Sequence, residues 1–204
     1  MYAVILFDLW GTIAFLEDLE NVGKHLEEKL GPERFKKLYE LFVRWHTEDS
    51  FVDEFLAGVQ REIPTTEEEL VAIKDWLINC NPKLYPETKE VLDYLKERGK
   101  KLVLITNSPP ITREQIKKLD VSRYFDREIF SFETGLMKPD SEIFQRAVSG
   151  MHVEPNEVLM VGDSYDKDIK GAEGAGFHAL LLDRENKHDY APKIASLLEL
   201  KDVC

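Results

Sequence analysis

The amino-acid sequence predicts an α/β protein with a doubly wound parallel sheet, interrupted by an inserted all-helical subdomain. Four short, continuous apolar runs, at residues 3–7, 102–105, 158–161 and 179–182, are typical of parallel strands that are buried on both faces. Each of the later runs follows a stretch in which apolar residues have helical spacing, and this alternation favours a doubly wound sheet. No strand signal occurs between about residues 16 and 80, so we expect that stretch to be helical.

The stretch that follows the first strand contains the signals of several successive helices. Its apolar residues recur every three or four positions, which is the spacing of one helix face. Gly31–Pro32 predicts the end of one helix and the start of the next. Thr65 with Glu68 has the capping-box pattern that begins a further helix.

The remaining elements return to strand–helix alternation. Pro86 can begin a helix that ends at Gly99, directly before the second apolar run. Further stretches with helical spacing precede the third and fourth runs. We therefore expect an α/β core made of residues 1–15 and 81–204, with the helical subdomain spanning residues 16–80.

The charge of the chain excludes some classes of partner. Lys and Arg number 27 and Asp and Glu 39, which gives a net charge of −12, and no basic tract occurs. We therefore expect neither nucleic acid nor an anionic membrane as a partner. No apolar stretch reaches the ~20 residues of a membrane span, and no secretory signal precedes the first strand, so we expect a cytoplasmic protein. Cys80 and Cys204 lack the spacing of metal ligands, and we expect one packed thiol and one tail thiol.

Polar side chains that suit phosphoryl transfer follow three of the predicted strands. Asp8 comes after the first strand, Thr106 and Asn107 after the second, and Asp163 after the third, while Lys138 lies before a predicted helix. Ligands of open parallel sheets bind at the carboxyl ends of the strands, so we expect these side chains to meet. Carboxylates supply a nucleophile and oxygen ligands for Mg²⁺, and a hydroxyl and a lysine neutralise phosphate charge.

These residues stand in the order of the four sequence motifs of the haloacid dehalogenase (HAD) superfamily, which the chain closely resembles from residue 3 to about residue 183. The segments that resemble the four motifs are, in order, Asp8–Thr12, Thr106, Lys138, and Asp163 with Asp168. The resemblance implies a HAD-like, Rossmannoid fold in which the helical subdomain is a cap inserted after the first motif. It also implies a magnesium-dependent hydrolase, with a small-molecule phosphate ester as its substrate.

The resemblance assigns the nucleophile and the metal ligands. Asp8 would attack phosphorus and form an aspartyl-phosphate, which divides one difficult step into two easier ones. Asp8 and Asp163 would bind Mg²⁺ through carboxylate oxygens, and Trp10 would bind it through its backbone carbonyl. The cation would cancel the repulsion between an anionic nucleophile and an anionic ester.

The resemblance also assigns the residues around the phosphate. Thr106 and the backbone amide of Asn107 would hold phosphoryl oxygens. Lys138 would lie between Asp8 and the phosphate as a compact positive charge. Two further residues would act from behind these groups: Asp168 would orient the lysine or metal-bound water, and Thr12 would brace the loop after the first strand.

The sequence departs from the family pattern at Trp10. HAD phosphatases usually carry a second aspartate at this position, which protonates the leaving oxygen and then activates water. An indole N–H donates a hydrogen bond but does not shuttle a proton at neutral pH. General acid–base catalysis is typically worth ~10²–10⁴ in rate, so the substitution bears directly on the reaction.

Three hypotheses accommodate Trp10. In the first, the chain is a phosphatase that is slow, that uses another acid such as a cap histidine, or that prefers good leaving groups. In the second, it is a 2-haloacid dehalogenase. In the third, it is a HAD-like phospho-ligand-binding protein that is non-catalytic or very slow. Dehalogenases have an aromatic residue at this position but lack the metal-binding aspartate, which is present here as Asp163. They also tend to carry a tyrosine where this chain has Phe144. We therefore favour the phosphatase.

Other candidate residues are expected to have structural roles. Asp166 lies at a predicted helix start, where a carboxylate interacts favourably with the helix dipole. His25 and His46 lie in the helical subdomain and are expected to face solvent. The aromatic residues of the same subdomain are expected to pack in its core rather than to contact a substrate: Phe35, Phe42, Trp45 and Phe55.

Overall fold

A computed structural model describes residues 2–17, 19–44, 51–79 and 81–204. The strands and helices in chain order are β1 (Val4–Phe7), β2 (Ala14–Leu16), α1 (Leu19–Leu30), α2 (Pro32–Arg44), α3 (Phe51–Glu62), α4 (Glu67–Asn79), β3 (Pro82–Leu84), α5 (Thr88–Glu97), β4 (Lys101–Thr106), α6 (Ile111–Leu119), β5 (Arg127–Phe130), α7 (Ser131–Thr134), α8 (Ser141–Val148), β6 (Val158–Gly162), α9 (Lys170–Gly174), β7 (His178–Leu182), β8 (Lys193–Ile194) and α10 (Leu200–Val203).

The main sheet has six strands in the order β5-β4-β1-β6-β7-β8, and each neighbouring pair is parallel. Its strands β1, β4, β6 and β7 coincide with the four apolar runs, so the predicted doubly wound fold is confirmed. The sequence did not predict the two edge strands. Strand β5 begins with the charged pair Arg127 and Glu128, and β8 has only two residues, so neither contains an apolar run.

Both faces of the sheet are covered, which explains why its central strands are apolar without alternation. Ile5 and Phe7 of β1 lie in one buried cluster together with residues of α5 and α6. Val4 and Leu6 lie in a second cluster together with residues of α8 and α9. Helices therefore pack on both faces, and they leave the carboxyl ends of the strands free to form a site.

Helices α1 to α4 have a hydrophobic cluster of their own, centred on residues such as Leu26, Leu38 and Phe55. The predicted break between the first two helices is confirmed, since Gly31 has φ +77° and α2 begins at the following proline. Within this cluster the Phe42 ring lies 4.7 Å from the Trp76 ring and 5.7 Å from the Phe55 ring, between centroids.

Two aromatic residues of the predicted stripe, Phe42 and Phe55, thus pack in the helical cluster as expected. Phe35 packs against the cluster and also lines the cleft described below. His25 is exposed as expected. Trp45, His46 and Cys80 lie outside the described residues, while Cys204 is a free, half-buried thiol.

The two chain segments that connect the helices to the sheet pair with each other, which the sequence did not predict. Strands β2 and β3 are antiparallel, with Ala14 opposite Leu84 and Leu16 opposite Pro82. Lys83 and Asn81 also bond to the carboxylate of Glu17. Each strand has three residues, which is too short for a sequence pattern to reveal.

Two predicted helix starts lie at other positions than expected. The capping box of α4 consists of Thr66 and Glu69: the Glu69 amide donates to Thr66 Oγ1 at 3.2 Å, and the Thr66 amide donates to Glu69 Oε2 at 2.8 Å. The expected pair was one residue earlier. Helix α5 begins at Thr88 rather than at Pro86, and the Thr88 hydroxyl donates to the Ile13 carbonyl at 2.7 Å.

Across the described residues, every helix is too short or too polar to cross a lipid bilayer.

Candidate active site

The candidate site lies at the carboxyl ends of three adjacent strands of the main sheet. Asp8 follows β1, Thr106 ends β4, and Asp163 follows β6. Because these strands are neighbours in the order β4-β1-β6, residues distant in sequence meet at one edge. Lys138 reaches the same edge from the loop before α8, and Asp168 reaches it from a turn of π-helix at Tyr165–Ile169.

A buried lysine connects two of the carboxylates. Lys138 Nζ lies 2.5 Å from Asp8 Oδ1 and 2.6 Å from Asp168 Oδ1, and its side chain is 2% exposed. The second oxygen of Asp168 accepts a hydrogen bond from the Ser164 amide at 3.0 Å. Thr12 Oγ1 lies 3.4 Å from Asp8 Oδ2 and is fully buried. Both oxygens of Asp168 are thus engaged, so this residue holds the lysine in place.

The carboxylates of the site suit a divalent cation. One oxygen from each of Asp8, Asp163 and Asp168 lies within 4.8 Å of the others. Three carboxylates against one ammonium leave two negative charges, which Mg²⁺ would match with its preferred oxygen ligands. The loop after β1 also approaches closely: a Cβ at Gly11, where φ is +80°, would lie 2.1 Å from Asp163 Oδ2. The residues present therefore fit a magnesium ion.

The pKa values at the site reflect this excess of negative charge. Burial raises the pKa of Asp8 to about 7; the nearby ammonium of Lys138 opposes the shift, and repulsion from Asp168 and Asp163 adds to it. Loss of water within the cleft, with repulsion from Asp168, raises the pKa of Asp163 to about 6. Burial alone would lower the pKa of Lys138, but the two carboxylates on it outweigh burial and raise the value.

Two residues at the carboxyl end of β4, Thr106 and Asn107, have different surroundings. Thr106 is 1% exposed and lines the cleft, and its hydroxyl has no hydrogen-bond partner among the residues that the structure describes. A buried, unpartnered donor there fits an oxygen of a bound phosphoryl group. The Asn107 side chain instead clamps the backbone of Lys138: Nδ2 donates to its carbonyl at 2.8 Å, and Oδ1 accepts from its amide at 2.8 Å.

A cleft of about 1050 Å³ opens above these groups, between the helices α1 to α4 and the sheet. Aromatic side chains from both sides line it, including Trp10, Tyr85 and Tyr165 from the sheet side and Tyr39 from α2. Sequence reasoning missed the tyrosines, since a tyrosine outside a motif carries no signal of its position. His188 lines the cleft as well and was also missed.

Arg184 connects the wall of the cleft to the loop after β1. Its guanidinium donates to the Thr12 carbonyl at 3.0 Å, pairs with Glu87 at 2.6 Å, and lies 3.7 Å from the centroid of the Tyr85 ring. Asp166 lies in the first turn of the π-helix, where the sequence placed a helix start, and its exposed carboxylate pairs with Lys170 at 2.6 Å.

The fold and the site define an α/β protein with a centre of three carboxylates and a lysine at one edge of a parallel sheet. Residues 2–176 match the family model described as haloacid dehalogenase-like hydrolase. The chain belongs to this family, and the predicted membership is confirmed.

Named relatives and solved structures agree with this membership. The chain is 38% identical to a phosphoserine phosphatase of Thermus thermophilus over 102 residues, which are 50% of this chain and 41% of the relative. It is 35% identical over 102 residues to a glyceraldehyde 3-phosphate phosphatase of Methanothermobacter thermautotrophicus, covering 50% of this chain and 45% of the relative. These matches span about half the length of either relative.

Among solved structures, a HAD phosphatase of Thermococcus onnurineus superposes with a TM-score of 0.69 at 29% identity, covering 100% of this chain and 97% of the other. A 2-haloacid dehalogenase of Pseudomonas syringae superposes with a TM-score of 0.68 at 24% identity, covering 100% and 98%. The second likeness concerns the fold alone.

Proposed function

We propose that this chain is a magnesium-dependent phosphatase of small phosphate monoesters, acting through an aspartyl-phosphate on Asp8. The observation that carries the proposal is the arrangement of Asp8, Asp163 and Lys138, in which a nucleophile shares one edge of the sheet with a second carboxylate and an ammonium. The two curated relatives described above are both phosphatases of small phosphate esters, which supports this class of substrate.

Each residue of the site has a separate role in the proposed reaction. An Asp8 oxygen attacks phosphorus while Lys138 and the Thr106 hydroxyl hold phosphoryl oxygens and offset their charge. Asp168 and the Asn107 side chain keep the lysine in position. Bound Mg²⁺ supplies Lewis-acid stabilisation of the phosphoryl oxygens, with Asp8, Asp163 and the Trp10 carbonyl as its ligands.

We propose further that residues 16–80 act as a cap over a core made of residues 1–15 and 81–204. The cleft supports this division, because one of its walls comes from the helical cluster and the other from the sheet. The paired strands β2 and β3 lie at the two crossings between these parts. A cap in this position excludes water from the phosphoryl group and contacts the leaving group.

The test is release of inorganic phosphate from a panel of phosphate monoesters, with Mg²⁺ and with a chelator. We expect release that depends on Mg²⁺, and its loss in D8N. The matched control is D93N, which makes the same change at an exposed carboxylate on α5 and should leave the rate unchanged. Phosphate release at an unchanged rate in D8N, or at an unchanged rate in the presence of the chelator, would contradict the proposal.

A second candidate function, 2-haloacid dehalogenation, is favoured by the aromatic Trp10 at the position of the missing acid. Against it, Asp163 adds negative charge where a carboxylate substrate would bind. Chloride release from a 2-haloacid in the presence of a chelator would support it over the phosphatase. A chain that binds phosphate esters and turns over none of them would be a binding protein.

A further inference from the structure

Among the residues that the structure describes, every carboxylate that lines the cleft beyond Asp8 and Asp163 already has a partner. Position 10 holds an indole, and the remaining carboxylates are those of Glu17, Asp166 and Asp168. Glu17 pairs with a lysine of β3, Asp166 pairs with a lysine one turn later at 2.6 Å, and Asp168 is held by an ammonium and a backbone amide. A leaving group in the cleft would therefore receive no proton from a free carboxylic acid of the described residues.

Part of the wall of the cleft is aromatic. Phe15 and Tyr85 line the cleft with their ring centroids 5.0 Å apart, and the guanidinium of Arg184 stacks 3.7 Å from the Tyr85 centroid and fixes that ring. On the facing side the exposed ring of Tyr39 lies 5.3 Å from the ammonium of Lys167. Flat rings on two sides favour a flat, apolar leaving group over a small polyol.

We propose that the preferred substrate class is aryl phosphates, whose leaving group is a phenol or a similarly acidic planar hydroxyl, and that Trp10 and Tyr39 set this preference. The inference rests on the proposed phosphatase function and names its substrate class. Both observations point to it independently. A phenol has a pKa near 10, as tyrosine does, whereas an aliphatic alcohol lies close to water at about 15.7. A phenolate therefore departs without an acid, and its ring fits the wall.

The chemistry balances without a further reactant except water. A carboxylate oxygen of Asp8 forms a bond to phosphorus while the bond between phosphorus and the aryl oxygen breaks. The electron pair leaves with the phenolate, which takes its proton from solvent. Water then attacks the aspartyl-phosphate, returns the carboxylate and releases phosphate and a proton. Because position 10 holds no base to activate this water, the second step limits turnover, and aryl phosphates should show a burst of phenol.

Four probes separate the acidity of the leaving group from recognition of the ring. Phenyl phosphate has both features, benzyl phosphate has the ring on an alkyl oxygen, acetyl phosphate has an acidic leaving group without a ring, and ethyl phosphate has neither. We expect kcat/KM for phenyl phosphate to exceed that for benzyl phosphate by about 100-fold or more. We also expect benzyl phosphate to have a lower KM than ethyl phosphate. Equal kcat/KM for phenyl and benzyl phosphate would overturn the inference while leaving the phosphatase intact.

Variants at Trp10 test the origin of the preference. W10D supplies an acid, so the ratio of kcat/KM for phenyl phosphate to kcat/KM for benzyl phosphate should fall by about 10-fold or more. W10F supplies no acid, so the same ratio should stay as in the wild type. W10D should also remove the burst of phenol, because it offers a base for water. A ratio unchanged in W10D, with circular dichroism showing a folded protein, would overturn the role of Trp10.

Tyr39 and His188 complete the test. Y39A should raise KM for the two ring-bearing probes ~3–10-fold more than Y39F does, with no such difference for acetyl and ethyl phosphate. Among the described residues, His188 contributes an imidazole to the lining of the cleft, and H188N should keep the ratio of kcat/KM for phenyl phosphate to that for benzyl phosphate. A ratio that rises tenfold in H188N would show that His188 is the missing acid and overturn the inference. Absence of release from all four probes would instead refute the proposed function.

Discussion

Replacing Lys138 by methionine should destabilise the protein strongly, because its ammonium lies between two carboxylates. The side chains of Lys138 and Asp168 are 2% and 1% exposed, and that of Asp8 is 11% exposed. Removing one partner of a buried ion pair typically costs ~3–5 kcal/mol, whereas exposed pairs contribute ~0–1 kcal/mol. Since domains of this kind have a free energy of unfolding of about 5–15 kcal/mol, K138M would lose a large share of it.

Urea unfolding at neutral pH in the presence of a chelator, followed by circular dichroism, measures this loss. The double variant K138M/D168N should recover about 1 kcal/mol or more relative to K138M, because the amide removes one of the two uncompensated charges. The matched control is K117M, which removes an exposed lysine paired with Glu114 on α6 and should stay within about 0.5 kcal/mol of the wild type. The reasoning fails if K138M unfolds within about 1 kcal/mol of the wild type with the same m-value.

Three further predictions concern separate parts of the fold. Burial would raise the pKa of Asp183, but two backbone amides and an ammonium outweigh it and lower the pKa to about 2. The ionised carboxylate therefore stabilises the fold above the unfolded pKa near 4, and this stabilisation is lost as pH falls through 2. The difference in free energy of unfolding between wild type and D183N, measured in urea, should be full at pH 7 and should fade between pH 4 and 2. G11A places a Cβ against Asp163 at a residue with positive φ, so it should lower the free energy of unfolding by about 1 kcal/mol or more and lower the melting temperature. It should also weaken Mg²⁺ binding in a calorimetric titration. An unchanged melting temperature together with unchanged Mg²⁺ binding would refute the close approach. T66A should lower the free energy of unfolding in urea by ~0.5–2 kcal/mol, because it removes the N-terminal capping hydroxyl of α4, and T65A should lower it less. A larger loss in T65A than in T66A would show that Thr65 is the capping residue, as expected from the sequence.

The central strands were predictable because a strand that is buried on both faces consists almost entirely of apolar residues. Strand β1 is covered on both faces, so all four of its residues are apolar and the run stands out. Strands β5, β2 and β3 lie at an edge or form a short separate pair, and such strands need no continuous apolar run. The cap of α4 was misplaced by one residue because Thr65 and Thr66 precede three successive glutamates, so the pattern fits in either register.

The composition of the site was predictable for a different reason: Asp8, Thr106 and Asp163 lie at the ends of neighbouring strands, and the family motifs add Lys138 and Asp168 to the same edge. Proximity of Asp8, Lys138 and Asp168 was therefore expected, and the structure brings them together. The clamp of Asn107 on the backbone of Lys138 was not expected, because it joins segments 31 residues apart through an amide that has no pattern of its own. The tyrosines that line the cleft were not predicted either, because they also lie outside any sequence motif.

The loop that carries Trp10 shows how position 10 can differ from the family pattern while Asp8 stays in place. The Gly11 amide donates to the Ala14 carbonyl at 2.8 Å, and Arg184 holds the Thr12 carbonyl at 3.0 Å. These bonds fix the backbone of the loop without using the side chain at position 10. The position of Asp8 therefore depends on backbone contacts that the Trp10 side chain does not make. On the proposed function, a substitution at position 10 should change proton transfer and the wall of the cleft while the carboxylate cluster keeps its place.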